Sequence, residues 1–416
     1  MIRSVRNIVF AAIILLFFFS CKNQKHSDIV SGIIDIEHGL QNLTRLKVSD
    51  FGQTIRYIPL ETPDNGLVGN NPVIKVLRNH IVIESQRSCL LFDKANGSFI
   101  AEIGHFGQGP EEFTDAFSWT DENGEFLYFR RAPNTLLKFD MKGNFCGRVG
   151  FSSPPGLASH YLFTDNDIIG YYNVLMQPNP IAIGIFDKDG LLKDSVPSLY
   201  QRIQTQTEGV DGVGRISIYK PDFIGKTNSG FITMDFKDGI SQIYAVNSAR
   251  IWKSNETIRF KENFVDTIYT FSAGKLFPTF VFNTGKYHWP IKEINSKQYS
   301  NERIFIEHIY ENNNDIFFQC VRGFFSNEPL LYNGLYNKQT GETKLCKYND
   351  AIEDDLTYFM PFNPLGISAS GEFVSLVEAW RVMEWMEEHP EAMNNENLSF
   401  LKELDEEMNP IVILVE

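Results

Sequence analysis

The chain has 416 residues, of which 43% are apolar and 22% are charged, and its formal net charge is −14 at pH 7. This composition supplies enough apolar side chains for a sizeable core in one or two domains, which excludes a largely disordered chain. The acidic balance and the lack of a block rich in lysine and arginine argue against nucleic-acid binding, because phosphate recognition needs clustered positive charge. The 35 phenylalanines and 16 tyrosines favour a protein rich in β-sheet.

The N-terminus has the pattern of an export signal. Arg3 and Arg6 precede an apolar run over 8–19, and the small residue Ser20 stands directly before Cys21. The run is shorter than the roughly 20 residues that a helix needs to span a bilayer. Since a cysteine at this place resembles a bacterial lipoprotein signal, we predict a signal peptide over 1–20 and a lipid on Cys21, with an uncleaved anchor as the alternative. A lipid would tie the protein to a membrane without spanning it, and we predict that this membrane is the outer one.

A hairpin signature recurs along the chain. Each copy joins an apolar strand to a small polar turn and a returning strand, and the copies centre on Asp93, Asp140, Asp187 and Asn337. The first three are spaced by 47 residues, and the fourth follows after about three more periods. Because propeller blades recur at roughly 40 to 50 residues, the repeat predicts an all-β fold, a β-propeller of four-stranded antiparallel blades.

Both ends of the predicted propeller carry strands. Residues 54–60 alternate between apolar and polar, with Pro59 placed as on a sheet edge, and residues 411–415 are apolar throughout. Pairing of these two strands within one blade would close the propeller and protect its edges. We therefore predict a tether and an edge segment over 21–53 and six blades over 54–416, although the repeat alone leaves seven open.

Two regions depart from the repeat. The fourth unit is stretched, with predicted strands at 230–236 and 241–246 before a hairpin over 266–282, and residues 201–214 before it read as a long surface loop. The last unit has a strand at 371–377 followed by helical patterns at 378–388 and 397–408. We predict a helical insertion that packs on the outside or rim of the propeller, with a partner-binding helix as the alternative.

Three motifs resemble those of a known family. They are Tyr-Ile-Pro-Leu-Glu-Thr at 57–62, Phe-Asp-Lys at 92–94 and Ile-Gly-His-Phe-Gly-Gln-Gly-Pro-Glu-Glu-Phe at 103–113. They are similar to the six-bladed propeller lipoproteins common in Bacteroidetes, which have a TolB-like or NHL-like fold. The resemblance covers nearly the whole mature chain and implies that fold, while it implies no particular chemistry.

The third motif forms a glycine-rich loop. The family loop usually reads Gly-Pro-Gly-Glu, whereas here Glu111 replaces the second glycine, so this turn is expected to be altered. Glycines permit positive φ and proline fixes its own φ, which predicts a sharply shaped connection between two blades. Consecutive N–H groups could bind an anion there, but a structural role is favoured. The loop residues are Gly104, Gly107, Gly109, Pro110, Glu111 and Glu112.

Four further cysteines lie in strand-like, apolar surroundings. An oxidising export compartment permits a disulfide, but no pair has Cys-x-x-Cys spacing. Burial as small apolar side chains is the favoured interpretation. These residues are Cys89, Cys146, Cys320 and Cys346.

Motifs that carry chemistry are nearly absent. The histidines form no HExxH or HxH pair, and the segment at 366–371 lacks the glycine that a nucleophile elbow needs at Ser370. We therefore predict a non-catalytic binding or scaffold module, without a cofactor, for a protein, peptide or glycan of the cell envelope. The alternative is a calcium-dependent hydrolase or lactonase with acidic and amide side chains at the central channel. Asp165, Asn166 and Asp235 are examples of such side chains that no spacing singles out.

Overall fold

The computed structural model describes residues 30–416 apart from 86, 152–155, 173–180, 200–211, 220–229, 238, 240, 247–250 and 294–300. The predicted signal peptide, Cys21 and most of the predicted loop at 201–214 lie outside the described residues. The described strands form seven sheets. Six of them are the blades of a closed six-bladed propeller, which confirms the propeller that the repeat predicted and the six blades that the resemblance implied.

Contacts between blades show that the propeller ring has six members. Clusters of buried apolar side chains lie between each pair of consecutive blades, including the last and the first. Blade 3 packs directly on blade 4, where the ring centroids of Tyr171 and Phe260 are 5.8 Å apart. The seventh sheet therefore lies outside the propeller ring, although it comes between these two blades in sequence.

The first three blades are regular four-stranded sheets, with the first strand of each next to the axis. Blade 1 contains β3 (Val73–Val76), β4 (His80–Glu84), β5 (Cys89–Asp93) and β6 (Phe99–Glu102); blade 2 contains β7 (Ser118–Thr120), β8 (Phe126–Arg131), β9 (Thr135–Asp140) and β10 (Phe145–Gly150); blade 3 contains β11 (His160–Phe163), β12 (Ile168–Tyr171), β13 (Ile181–Phe186) and β14 (Leu192–Pro197).

The last three blades include strands from both ends of the chain. Blade 4 contains β18 (Ile251–Ser254), β19 (Thr257–Phe260), β20 (Thr267–Ser272), β21 (Lys275–Asn283) and, as a fifth and outermost strand, β1 (Gly32–Asp35); blade 5 contains β22 (Ile304–Glu311), β23 (Asp315–Arg322), β24 (Leu330–Asn337) and β25 (Thr343–Lys347); blade 6 contains β26 (Gly366–Ile367), β27 (Phe373–Val377), β28 (Ile411–Val415) and β2 (Ile55–Pro59).

The repeated hairpin signature folds into a turn built on one side-chain oxygen. In blade 1, Oδ1 of Asp93 accepts hydrogen bonds from the N–H groups of Ala95 and Asn96, at 2.7 and 3.3 Å. Asp140, Asp187 and Asn337 accept equivalent bonds in blades 2, 3 and 5. Short polar side chains can bond their own backbone two residues on, which explains why the signature was legible in the sequence.

The hairpin turn of blade 1 also contacts the preceding blade. Gly97 has φ +77°, and a Cβ at this position would overlap the backbone carbonyl oxygen of Pro59 in blade 6. A side chain is therefore excluded both by the backbone conformation and by the close approach of the two blades. The size of the residue at position 97 therefore limits how closely blades 6 and 1 can approach.

The family motifs at 57–62 and 92–94 connect blade 6 with blade 1. A carboxylate oxygen of Glu61 accepts a hydrogen bond from the N–H of Phe99 at 2.7 Å. Nζ of Lys94 in blade 1 lies 2.5 Å from Oε2 of Glu372 in blade 6, and both side chains are largely buried. These residues serve the junction at which the propeller closes, so the motifs are markers of fold.

Closure between the chain ends is confirmed. β28 lies between β2 and β27, and its register with β2 runs from Ile55 opposite Val415 to Pro59 opposite Ile411. All five residues of β28 are buried. Pro59 ends an edge strand, where a missing N–H donor is tolerated.

The stretched fourth unit resolves into two structures, so the assignment of 230–236 and 241–246 to blade 4 is wrong. These segments form β16 (Gly230–Phe236) and β17 (Ser241–Val246), and together with β15 (Val213–Tyr219) they make a separate three-stranded sheet. We call these three strands the inserted sheet. Apolar alternation identifies strands in a sequence but does not say which sheet they join.

The helical insertion of blade 6 is confirmed between β27 and β28. Its first part is the α-helix α2 (Ala379–Glu388), but the second predicted helix is 3₁₀, at Pro390–Asn394 and Glu396–Glu403. Val382, Leu398 and Leu401 of the insertion are buried against blades 5 and 6. The insertion thus packs on the rim of the propeller.

The segment before β2, predicted as a tether and an edge segment, contains the strand β1, which pairs in parallel with β21. It is followed by a short helix, α1 (Ile36–Gln41), and by a 3₁₀ turn at Val48–Asp50, which the sequence did not predict. Ile34, Ile36 and Val48 are fully buried in the propeller core. In the described part of the chain, helices that combine the length and the apolar character of a membrane span do not occur.

The cysteine prediction is confirmed for three residues and wrong for one. Cys89, Cys320 and Cys346 are buried, whereas Cys146 is exposed on β10, and all four are free. Cys146 lies on the outermost strand of blade 2, where alternate side chains face solvent. Burial raises the pKa of the Cys89 thiol, which keeps that thiol protonated.

Closure can be tested with a charge in β28. Val412 is fully buried, so Val412→Asp is expected to cost more than about 4 kcal/mol of unfolding free energy, because an unpaired carboxylate would lie within the closing blade. Ile100→Asp is the matched control on β6, where Ile100 is 39% exposed, and it should cost less than about 1 kcal/mol. Denaturant unfolding measures both. Equal losses would contradict the importance of closure.

Candidate functional site

The two ends of the propeller differ in the length of their connections. Strands alternate in direction, so the connections from first to second and from third to fourth strand lie at one end, and the others lie at the opposite end. We call the first end the turn face and the second the loop face. The loop face carries the glycine-rich loop, the inserted sheet, the helical insertion and the connection 348–365. Binding residues concentrate on such loops held by a rigid scaffold.

Contacts between blades brace the turn face. Lys253 of blade 4 forms an ion pair with Glu122 of blade 2, which crosses in front of blade 3. Nδ2 of Asn312 in blade 5 donates to the carbonyl oxygen of Gly371 in blade 6, at 3.2 Å. The N–H of Ala369 in blade 6 bonds a carbonyl oxygen of blade 1 at 2.8 Å. The turn face is therefore joined by contacts between blades, whereas the long connections lie at the loop face.

A buried ion pair lies between blades 1 and 2, near the loop-face end of the channel wall. Glu84 ends β4, and its Oε1 accepts from Nζ of Lys75 and from the backbone N–H of Ser118, the latter at 2.8 Å. Nζ of Lys75 also donates to the carbonyl oxygen of Ser118, at 2.8 Å. The second carboxylate oxygen of Glu84 is buried without a hydrogen-bond partner.

Blades 2 and 3 continue this polar wall. Nε1 of Trp119 donates to Nδ1 of His160, at 3.0 Å. Burial, together with the charges of Lys75 and Arg130, lowers the pKa of His160 to about 3. His160 is therefore neutral at physiological pH, and because Nδ1 accepts a bond, the proton lies on Nε2. Arg130 stacks over the indole of Trp119 at 5.4 Å and donates to the carbonyl oxygen of Ala158 at 2.7 Å.

This wall has the chemistry of a binding surface. Ser118 donates its hydroxyl to Glu84 but is buried, so substrate could not reach it as a nucleophile. His160 keeps a neutral imidazole whose Nδ1 is already engaged. Lys75 and Arg130 are only partly buried and offer positive donors. The arrangement supports hydrogen bonding to a ligand more readily than proton transfer.

The glycine-rich loop is a structural connection, and its glycines have two different roles. Gly104 has φ +61°, as expected, but Gly107 and Gly109 do not adopt positive φ. Instead, a Cβ on either glycine would collide with the carboxylate of Glu112. These two residues therefore lack a side chain so that the Glu112 carboxylate can fit beside them. Glu111 also lies outside the positive-φ region, so its replacement of the family glycine does not strain the backbone.

The candidate anion site in this loop is filled by the protein itself. Oε2 of Glu112 accepts the N–H of Gly109 at 2.6 Å. Arg131 of blade 2 donates to the carbonyl oxygens of Glu112 and Gln108, which fastens the loop to the next blade. Pro110 and Glu111 line an open cleft of about 530 Å³ on the outside of blades 1 and 2. The geometry thus favours the structural role.

The three example residues for a calcium site are not brought together. Asp165 and Asn166 lie in the turn between β11 and β12, at the turn face, whereas Asp235 lies in the inserted sheet and accepts a hydrogen bond from Ser241 at 2.7 Å. Within the described ranges, groups of three or more histidine, cysteine, aspartate or glutamate side chains with metal-binding geometry do not occur.

A loop-face feature that sequence analysis missed is the presentation of Tyr358. Asp354 is buried, and its carboxylate accepts the N–H groups of Leu356, Thr357 and Phe359 at 2.9–3.0 Å. The tip of this turn is Tyr358, which has φ +57° and is 73% exposed. An aromatic residue at positive φ is strained, and such strain clusters at functional sites. Only the Asp-x-x-Thr spacing hints at this turn in the sequence.

The helical insertion lies beside the same turn. Nδ2 of Asn395 donates to the carbonyl oxygen of Thr357 at 2.8 Å, and the rings of Phe359 and Trp385 pack at 5.0 Å. Trp380, in the first turn of α2, is 49% exposed. Two exposed aromatic side chains, Tyr358 and Trp380, thus belong to two connected loop-face elements.

A partly exposed ion pair lies on the loop face of blade 4. Nδ1 of His288 is 2.7 Å from Oδ2 of Asp266, which also accepts the hydroxyl of Thr284 at 2.7 Å. The hydrogen bond to Asp266 raises the pKa of His288, with Glu293 acting in the same direction and Arg303 against it. Because Asp266 binds both His288 and Thr284, we interpret the pair as a structural link between 261–266 and 284–293.

Comparison with known proteins supports the propeller. The sequence model of a family described as "Domain of unknown function (DUF4934)" matches residues 31–416. A crystal structure from Bacteroides fragilis NCTC 9343, of a protein provisionally described as exported, matches with a TM-score of 0.61 at 17% identity, covering 92% of this chain and 99% of that chain. At this identity the likeness shows the fold alone.

More distant structures have weaker likeness. The WD40 repeats of RRP9 match with a TM-score of 0.39 at 10% identity, covering 90% of this chain and 99% of that chain. A chain of the mitotic checkpoint complex matches with a TM-score of 0.37 at 10% identity, covering 79% and 89%. Neither carries an argument here. No curated protein matches the sequence.

A double-mutant cycle can test whether Gly107 is needed to leave room for the Glu112 carboxylate. Gly107→Ala is expected to cost about 1–3 kcal/mol of unfolding free energy, because its Cβ would displace the Glu112 carboxylate. Adding Glu112→Ala should remove at least about 1 kcal/mol of that cost. Gly150→Ala is the control, since a Cβ there meets nothing within 4 Å. Strictly additive losses would show that Gly107 is needed for another reason.

The His288 pair predicts a pH dependence. Because the folded pKa of His288 is raised, the pair stabilises the fold below the unfolded pKa of about 6.5, and this contribution is lost as pH rises through the folded pKa. His288→Gln should therefore lower the free energy of unfolding at about pH 5.5 and have little effect near pH 9. The loss at pH 5.5 should be less than about 1 kcal/mol, because the pair is partly exposed. Urea unfolding at both pH values measures this. A larger loss at the higher pH would reverse the assignment.

Proposed function

The chain belongs to the family described as domain of unknown function DUF4934, and we propose that it is an exported, lipid-anchored propeller that binds a protein, peptide or glycan of the cell envelope without catalysis. The N-terminal pattern ending at Cys21 supports export and a lipid anchor. The provisional description of the Bacteroides fragilis protein as exported agrees with that location. The likeness of the sequence motifs to TolB-like and NHL-like lipoproteins supports the same proposal.

One observation carries the proposed binding role: the long connections between described strands emerge at the loop face, while the turn face consists of short turns with contacts between blades. On the loop face, Tyr358 and Trp380 are exposed aromatic side chains on loops fixed by buried contacts. Aromatic side chains contribute much of the energy of binding interfaces. The loop face is therefore the surface on which a ligand is expected.

The test is capture from envelope extracts by the immobilised full chain. The double variant Tyr358→Ala/Trp380→Ala should reduce recovery of bound protein or glycan by at least about tenfold, because both side chains are truncated on the expected binding surface. Mass spectrometry and glycan arrays identify and quantify what is bound.

Leu191→Ala is the matched control. Leu191 is 59% exposed in the third hairpin turn, on the turn face, so its truncation should leave recovery unchanged. Circular dichroism confirms that each variant is folded. Failure of the wild-type chain to retain anything, or equal losses from both variants, would count against a loop-face binding module.

A further inference from the structure

The inserted sheet places one phenylalanine inside a box of five aromatic side chains. Phe231 of β16 is buried, and its ring centroid lies 4.6–6.4 Å from those of the five box residues. The box rings also contact one another, as with Phe264 and Trp289 at 5.1 Å. The box residues are Phe264, Trp289, Phe305, Phe324 and Phe325.

The walls of the aromatic box belong to the propeller, and its occupant does not. Phe264 lies in the connection after β19, Trp289 precedes blade 5, and Phe305 is on β22. Phe231 comes from the inserted sheet, whose three strands pair with one another and, in the described chain, with no strand of a blade. The box is thus a pocket of the rigid propeller that is filled by an appended element.

Two features distinguish this box from an ordinary core. Phe264 has φ +58°, a conformation that is strained for a bulky side chain and persists only where its surroundings enforce it. The indole N–H of Trp289 is buried without a hydrogen-bond partner, and so is the hydroxyl of Thr233, two residues from Phe231 on the same side of β16. Buried polar groups are nearly always hydrogen-bonded, so unpaired donors mark a place where a partner is missing.

We infer that the aromatic box is a recognition pocket for an aromatic side chain of a peptide or protein partner, and that Phe231 occupies it as an internal substitute. A partner residue that replaced Phe231 would bring its own backbone carbonyl groups, and one of these could accept the indole N–H of Trp289. The inserted sheet then acts as a cover that competes with the partner. This inference rests on the proposed binding function and specifies the chemistry of the partner.

The test uses the full chain in detergent and N-acetyl-L-phenylalaninamide as the probe, observed through the indole N–H signals of ¹⁵N-tryptophan. Phe231→Ala empties the box. We expect the probe to bind this variant at least about tenfold more tightly than it binds the wild type, and to shift the Trp289 signal. Adding Trp289→Phe, which removes the donor, should weaken binding by about tenfold.

Phe92→Ala is the matched control, because Phe92 is fully buried in blade 1 and its truncation creates an ordinary apolar cavity. Ethylbenzene, which lacks an acceptor, separates the two cases: any apolar cavity can accept it. The inference is overturned if Phe231→Ala binds ethylbenzene and the amide equally, or if the Trp289 signal does not move, or if the probe binds Phe92→Ala as well.

A second measurement covers the case in which Phe231→Ala does not fold. In the wild-type chain, hydrogen exchange of β16 amides should be at least about a hundredfold faster than that of β23 amides, since the cover must open without unfolding blade 5. Equal protection of the two strands would overturn the inference. Neither experiment depends on an envelope ligand, so their failure is distinguishable from failure of the capture experiment.

Discussion

The whole molecule depends on one strand pairing, that of β28 with β2. Six blades packed face to face around an axis leave two free blade edges unless the first and last strands share a sheet. Here β28 occupies the middle of blade 6, so the interface between blades 6 and 1 cannot form without β28. The cluster between blades 6 and 1, which contains Val412, Leu414 and Phe92, exists only after that pairing. The interface between blades 6 and 1 is therefore coupled to β28.

The two ends of the propeller differ in the size of the segments that they carry. The turn face consists of tight turns organised by Asp93 and its equivalents, which need only a few residues and one side-chain oxygen each. The loop face holds everything that exceeds the blade repeat, from the inserted sheet to the helical insertion. Strain at Tyr358 and Phe264 occurs at this end, as do the unpaired polar groups of Trp289 and Thr233. A rigid ring can tolerate this backbone strain and these unpaired polar groups because its stability comes from the six apolar interfaces between blades.

The sequence predicted the features that depend on local chemistry. An Asx turn followed by glycine depends only on consecutive residues, so the sequence revealed the blade repeat. An apolar strand near each end of the predicted propeller indicated closure. It could not show that 230–236 leaves the propeller ring, because strand patterning is the same in a blade and in an appended sheet. Gly107 and Gly109 were read as conformational residues, whereas their role is set by the position of the Glu112 carboxylate in space. Likewise, Lys75, Glu84, Trp119 and His160 come from three blades, and no spacing along the chain links them.

The outermost strand of blade 4 has a mechanical consequence. β1 runs parallel to β21, while β2, the strand that closes the ring, begins about twenty residues later in another blade. A pull on the N-terminus would load the rungs between β1 and β21 in shear, along the strand direction. The helix α1 and the buried side chains of Val48 and Phe51 stand between that load and β2. Tension on the N-terminus would therefore reach the β1–β21 pairing in blade 4 before it reached the β2–β28 pairing in blade 6.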